Sequence, residues 1–200
     1  MTIPMEERIR DVAVRVFAQK GFHRTRMKDI AKEAGVAVGS IYNHFRDKDD
    51  LLLSIFETEF DARVSFLEAG QRKGLPVIDQ VRRLLEEHFA LVQKQPELAQ
   101  LLLLERFNRG GRLRDRFVAL QRVIVERIDS ILRSGISEGW IRPCNTRVVA
   151  QGLFDLVQTM SATGLVYESE EEHEILAAAP AELCDLIWRG LQVSTEEGLA

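Results

Sequence analysis

Two hundred residues with a formal charge of −4, of which 46% are hydrophobic and 29% charged, leave room for one or two domains and a sizeable core. No apolar run approaches the roughly 18 residues a bilayer span requires, and Glu6, Glu7, Arg8 and Arg10 interrupt the N-terminus before a cleavable signal could form. Neither a membrane partner nor secretion is expected, and Cys144 and Cys184 read as free thiols in a reducing cytoplasm.

The first helix is marked by Ile9, Val12, Ala13, Val16 and Phe17 at helical spacing and stops at Lys20–Gly21, after which Phe22 can pack back. Thr25–Arg26 opens a second helix, whose Met27, Ile30, Ala31 and Ala34 recur at i, i+3, i+4 and i+7 and so share one face. Gly35 follows the last of them, where a helix ending in the left-handed conformation favours glycine. Val36 and Val38 supply an apolar plug at the corner. A second short helix is predicted over about Gly39–Phe45, with Ile41, Tyr42 and Phe45 able to face inward and Ser40, Asn43 and His44 on the other side. Two short helices joined by a tight corner, the second presenting small polar side chains, form a helix-turn-helix reader for the DNA major groove.

The charged linker Arg46–Asp50 leads into an apolar helix at Leu51, Leu52, Ile55, Phe56 and Phe60, with Asp47 as its N-cap and Asp49 and Asp50 favoured in its first turn. A break at Gly70–Pro76 precedes a helix carrying Val77, Val81, Leu84, Leu85, His88, Phe89 and Val92. Pro96 suits the first turn of the next helix, Glu97 to about Asn108, whose Leu98 and Leu101–Leu104 are apolar nearly all round. Gly110–Gly111 breaks it, and a long helix follows over about Leu113–Ser137. Asn145 or Thr146 caps a helix over about Val148–Tyr167, Glu168–Glu174 reads as an acidic loop, and a last helix covers about Pro180–Val193. The expectation is an all-α chain of about nine helices without an internal repeat.

Charge is unevenly spread. Across residues 8–48, Arg8, Arg10, Arg15, Lys20, Arg24, Arg26, Lys28, Lys32, Arg46 and Lys48 face only Asp11, Asp29, Glu33 and Asp47, a local excess of +6. A basic end on an acidic chain suits double-stranded DNA. Ser40 and Asn43 are the candidates for base edges, since Asn can pair bidentately with adenine and Ser with either base type; Gly39 lets the backbone come close to the groove. Thr25, Arg26 and Lys28 are placed to hold phosphates through amides, a hydroxyl and charge.

The run from Ala18 to Leu52, with Gly21–Phe22, Thr25, Asp29–Ile30–Ala31, Ala34–Gly35–Val36, Gly39, Ile41–Tyr42, His44–Phe45, Lys48 and Leu51, closely resembles the signature of TetR/AcrR-type transcriptional regulators. The resemblance implies a homodimer with a three-helix DNA-binding domain at residues 1–50 and a helical effector-binding and dimerisation domain at residues 51–200. It also implies phosphate contacts from Tyr42, His44 and Lys48, with a packed aromatic as the competing reading of Tyr42. Two positions depart from the pattern: Arg26 stands where the family often has Ser or Thr, and Val38 where a basic or polar residue is common.

The last two helices carry apolar stripes, Leu153, Leu156, Val157 and Met160 on one and Leu183, Leu186, Ile187 and Leu191 on the other, which read as a dimer surface. Twofold pairing would match a palindromic operator. A hydrophobic effector pocket is expected from Phe89, Leu103, Leu104 and Phe107, together with Phe117, Ile124, Phe154 and Met160. Arg106, Arg109, Arg112 and Arg114 flank the Gly110–Gly111 break and are candidates for an anionic part of that effector, because the guanidinium fork suits phosphate and carboxylate. The stretches Leu103–Glu105, Leu113–Arg114 and Ile128–Ile136 through Gly139 resemble the fatty-acid-metabolism repressor branch of the family, which implies a long-chain acyl-CoA effector. The alternative is a drug-sensing repressor of an efflux pump. His23, His44, His88 and His173 are scattered, and no Gly-rich phosphate loop, catalytic triad or metal-ligand spacing is recognisable, so neither catalysis nor a required cofactor is expected.

Overall fold

Helical periodicity decides the architecture. The computed structural model describes residues 4–107, 112–166 and 170–193. Among them run nine α-helices: α1 (Met5–Lys20), α2 (Met27–Ala34), α3 (Val38–Tyr42), α4 (Lys48–Arg72), α5 (Val77–Lys94), α6 (Pro96–Phe107), α7 (Arg112–Ser137), α8 (Thr146–Val166) and α9 (Glu170–Leu191). The one β-type pairing among the described residues is an isolated antiparallel bridge, Ile141 with Gln192.

The chain folds as two compact units, Met1–Asp61 with Gln95–Leu120 and Ala62–Lys94 with Gln121–Ala200. The reason is packing: α6 lies against α1, and Phe117 stacks edge-on to Phe56 at 5.0 Å and Phe60 at 5.6 Å. Residues 95–120 thus complete the core of the first unit, with Leu98, Leu101 and Leu102 buried.

In that unit α1 buries the five residues its spacing marks, Ile9, Val12, Ala13, Val16 and Phe17. It ends at Gly21, whose φ of 78° few other residues adopt and whose N–H reaches the Phe17 carbonyl at 2.8 Å. α2 begins where the Asp29 carboxylate accepts the Arg26 N–H at 2.9 Å; that bond, ahead of the charges of Lys20 and Lys28, holds the Asp29 carboxyl below its ordinary range. It closes on left-handed Gly35 (φ 63°), with the Val36 N–H on the Ala31 carbonyl at 3.0 Å. α3 is shorter than its sequence suggests, because after Tyr42 the His44 and Phe45 amides both turn back to the Ile41 carbonyl. Asp47 caps α4 as expected, accepting the Asp50 N–H at 2.7 Å.

In the second unit α5 packs on α9 and α8, and α8 on α9. Asn145 is the α8 cap, its side-chain oxygen accepting the Val148 N–H at 3.2 Å. Gly135 permits the return of the chain after α7: a Cβ there would lie 2.7 Å from Ile141 Cδ1, and its carbonyl takes the Trp140 and Ile141 amides. The last helix departs from expectation. α9 starts at Glu170 and carries Pro180 in its interior, so much of the supposed acidic loop is helical. The Ile175–Ala179 run is rich in helix formers, and burial of Leu176 and Ala179 supports it across the one amide that proline lacks.

Candidate nucleic-acid interface and ligand cavity

α2 packs against both α1 and α3, and Ile30, Ala31 and Ile41 are all essentially without solvent exposure. With its apolar side so used, α3 presents the opposite one. Gly39, Asn43 and His44 are exposed, Ser40 is half-buried, and the space a Gly39 Cβ would take is open. Tyr42 is 52% exposed, which removes the packed-aromatic reading, and Val38 beside it is 38% exposed. Arg26 and Lys28 are exposed at the start of α2.

Two residues expected at phosphates point inward instead. Thr25 is 1% exposed, and its hydroxyl donates to the Gly21 carbonyl at 2.9 Å. The Lys48 ammonium donates to the Phe22 carbonyl at 2.6 Å, to Thr25 at 2.8 Å and to His23 at 3.3 Å, while standing 4.3 Å from the Phe22 ring centroid. The α1–α2 turn leaves those carbonyls without helical partners, and a cation at the first turn of α4 satisfies them. Arg46 is held by Asp50, whose carboxylate raises the guanidinium pKa further.

The second unit holds a partly open apolar cavity of about 70 Å³. That is less than the range of about 300–1,000 Å³ usual for small-molecule sites. α7 lines it with Ile124, Ile128, Ile131 and Leu132, α5 with Val81, Leu84 and Leu85, and α8 with Leu153, Phe154 and Val157. Its polar wall residues are Arg63, Gln80, His88 and Gln158. His88 Nε2 lies 2.7 Å from Ser161 Oγ, and burial, with the charge of Arg63 second, pushes the imidazole down to about 3.

Of the residues expected in the pocket, Ile124 and Phe154 line this cavity. Phe89 is buried in the same unit and Met160 half-buried there, neither on the cavity wall. Phe117 belongs to the aromatic cluster of the first unit, where Leu103 is half-buried. The side chains of Leu104, Arg106, Phe107 and Arg112, and the whole of Arg109, lie outside the described residues. Arg114 is exposed, and the neighbouring Arg116 pairs with Glu57. Sequence reasoning passed over Arg63, Gln80, His88 and Gln158. The α5 positions 81, 84, 85 and 88 do share a face at i, i+3, i+4 and i+7, so the stripe that carries His88 was legible although its place in the pocket was not assigned.

The structure also divides the expected dimer stripes. Leu183, Ile187 and Leu191 are buried within the second unit, and Leu153 and Val157 line its cavity. Leu156 and Leu186, 37% and 63% exposed, face outward with Val148 and Ile175. A helix with an apolar side chain every third or fourth residue cannot show from sequence which of two apolar faces is the buried one.

An exposed, glycine-started polar ridge on a short helix, braced by α2 and flanked by basic side chains, defines a helix-turn-helix DNA-binding protein. The sequence profile for bacterial regulatory proteins of the tetR family matches residues 9–55, and that for a tetracyclin repressor-like C-terminal domain matches residues 74–162. The chain belongs to the tetR family of transcriptional regulators. It is 27% identical over 175 residues to the fatty acid metabolism regulator protein of Bacillus subtilis (strain 168), covering 87% of this chain and 89% of that one. Its structure resembles that of the regulator FadR from Bacillus subtilis in complex with stearoyl-CoA, with a TM-score of 0.84 at 27% identity over 92% of this chain and 97% of that one. It is similar also to the fatty acid degradation regulator FadR from Bacillus halodurans, with a TM-score of 0.84 at 25% identity over 92% and 98% of the two chains. Among the described residues no helix is long and apolar enough to cross a membrane, and no cluster of potential ligands could hold a metal.

Proposed function

We propose that this regulator is a cytoplasmic homodimeric repressor that binds a palindromic operator and is released from it by a long-chain acyl-CoA. The observation that carries the reading is the aliphatic cavity of the second unit, whose walls match an alkyl chain and whose described lining residues include no carboxylate. The likeness to a regulator crystallised with stearoyl-CoA supports it. A drug-sensing repressor of an efflux pump is less well supported, because a cationic drug would find no acid among those residues and would meet the charge of Arg63.

On DNA, Gly39, Ser40 and Asn43 would meet base edges, and Arg26, Lys28, Tyr42 and His44 the phosphates. Lys48 and Thr25 would act from behind, keeping the α1–α2 turn in shape. The outward Val148, Leu156, Ile175 and Leu186 of α8 and α9 are the apolar side chains available to a second copy. Effector and DNA compete by linkage: the effector weakens DNA binding only by the factor by which DNA weakens effector binding. The test is a gel shift with DNA from upstream of the regulator's own gene. Micromolar palmitoyl- or stearoyl-CoA is expected to release the DNA; if the shift persists at saturating acyl-CoA, the effector assignment is wrong, and if no duplex is shifted at low salt, the operator assignment is wrong.

A further inference from the structure

An alkyl chain needs only the aliphatic part of the cavity in the second unit. Arg63 of α4, His88 of α5 and Gln158 of α8 stand in its wall with no task toward such a chain. Ser161 Oγ donates to the Val157 carbonyl at 2.9 Å. The single hydroxyl proton being so engaged, the 2.7 Å contact with His88 requires the imidazole to donate its Nε2–H to the serine oxygen. His88 is thereby fixed in one neutral tautomer, and burial beside the charge of Arg63 keeps it uncharged. Arg63 is then the formal charge of the cavity wall among the described lining residues.

A guanidinium carries five N–H donors in a planar fork, so one that already has a protein partner still has donors to offer. Hydrocarbon alone offers a guanidinium in the wall no acceptor. Gln158, three residues before Ser161 on the same side of α8, adds an amide that can donate as well. An oxygen acceptor carried by the ligand answers both.

We propose that Arg63, assisted by the Gln158 amide, is a polar subsite that takes the carbonyl oxygen at the head of an acyl chain, with the Ser161-fixed His88 as its uncharged neighbour. The subsite rests on the acyl-effector reading and adds to it the group that tells an acyl ligand from a plain alkyl one. A carbonyl oxygen of this kind occurs in a thioester and in a free carboxylate. His88 cannot serve the same end, since its one proton faces Ser161.

Calorimetric titration of the full-length protein with palmitoyl-CoA, with S-hexadecyl-CoA (the thioether that lacks the carbonyl) and with palmitate tests this. Wild-type protein is expected to bind the thioester roughly ten- to a hundredfold more tightly than the thioether, the range for a hydrogen bond to a charged group. In Arg63→Met that ratio is expected to fall to near one. The wild-type ratio alone suffices should the variant not fold: equal affinity for thioester and thioether overturns the proposal. So does a ratio that survives intact in Arg63→Met. Palmitate bound with the same dependence on Arg63, in the absence of thioester binding, assigns the oxygen to a carboxylate and upholds the subsite. Absence of heat with all three ligands refutes the acyl-effector reading itself, and the subsite with it.

Discussion

Lys48 offers the sharpest separation between a residue that touches DNA and one that shapes the part that does. Its ammonium donates to the carbonyls of Phe22, His23 and Thr25 at 2.6, 3.3 and 2.8 Å, and Phe22 beneath it is only 3% exposed. Lys48→Met keeps the aliphatic stem against that ring and removes only the donors and the charge. Hydrogen bonds to a charged group are worth about 1.5–3 kcal/mol. For a chain of this size each kcal/mol moves the midpoint by about 2–4 °C, so the lowest thermal transition should fall by about 3–12 °C. The slope of log affinity against log salt concentration should stay that of the wild type, because removing a cation that neutralises one phosphate would make it shallower by about 0.9. Thermal melting followed by circular dichroism, together with fluorescence-anisotropy binding over a series of salt concentrations, reads both quantities. An unchanged melt accompanied by a shallower slope would refute the clamp and return Lys48 to the phosphate backbone.

Three further outcomes are expected. Asn43→Ala should relax preference at one operator position by about 1–3 kcal/mol while sparing the others; binding across a set of singly substituted operators checks it, and a uniform loss at all positions would count against base contact. Leu186→Glu, at a side chain 63% exposed and outside the core, should shift the protein toward monomer in sedimentation velocity without lowering helix content. A dimer unaffected by it would place the pairing surface elsewhere. His88 has a folded-state pKa pushed down to about 3, so below its ordinary 6.5 the unfolded chain binds a proton that the native protein does not. Stability is therefore largely present above pH 6.5 and falls as the medium is acidified toward pH 3, by about 1 kcal/mol between pH 7 and 5.5. Urea titrations at the two pH values should show that increment in wild type and not in His88→Gln; equal pH dependence in both would argue against the buried neutral imidazole.

Much of the reading head follows from local rules that need no knowledge of the rest of the chain. Five apolar positions at helical spacing place α1, the same period places α2, and Gly35 ends it, since only a left-handed residue lets the chain turn there (φ 63°). Asp47 and Asn145 announce the starts of α4 and α8 because a short polar side chain satisfies an amide within its own turn. What is not local is which side of an apolar helix is covered. Leu183 and Leu186 look alike in sequence, yet the first is 5% and the second 63% exposed, a difference made by α5 and α8 packing on α9. Phe117 reads as cavity lining until α7 is seen to bring it between Phe56 and Phe60. Lys48 lies 23 to 26 residues from the carbonyls it holds, and His88 lies 73 from Ser161. Period and capping are properties of neighbouring residues, so the amino-acid order alone placed most of the helices and the exposed polar side of α3, though not the early start of α9 at Glu170. Burial and long-range hydrogen bonds are properties of how helices meet, and for that reason the cavity, its polar wall and the outward face of α8 and α9 were decided only in three dimensions.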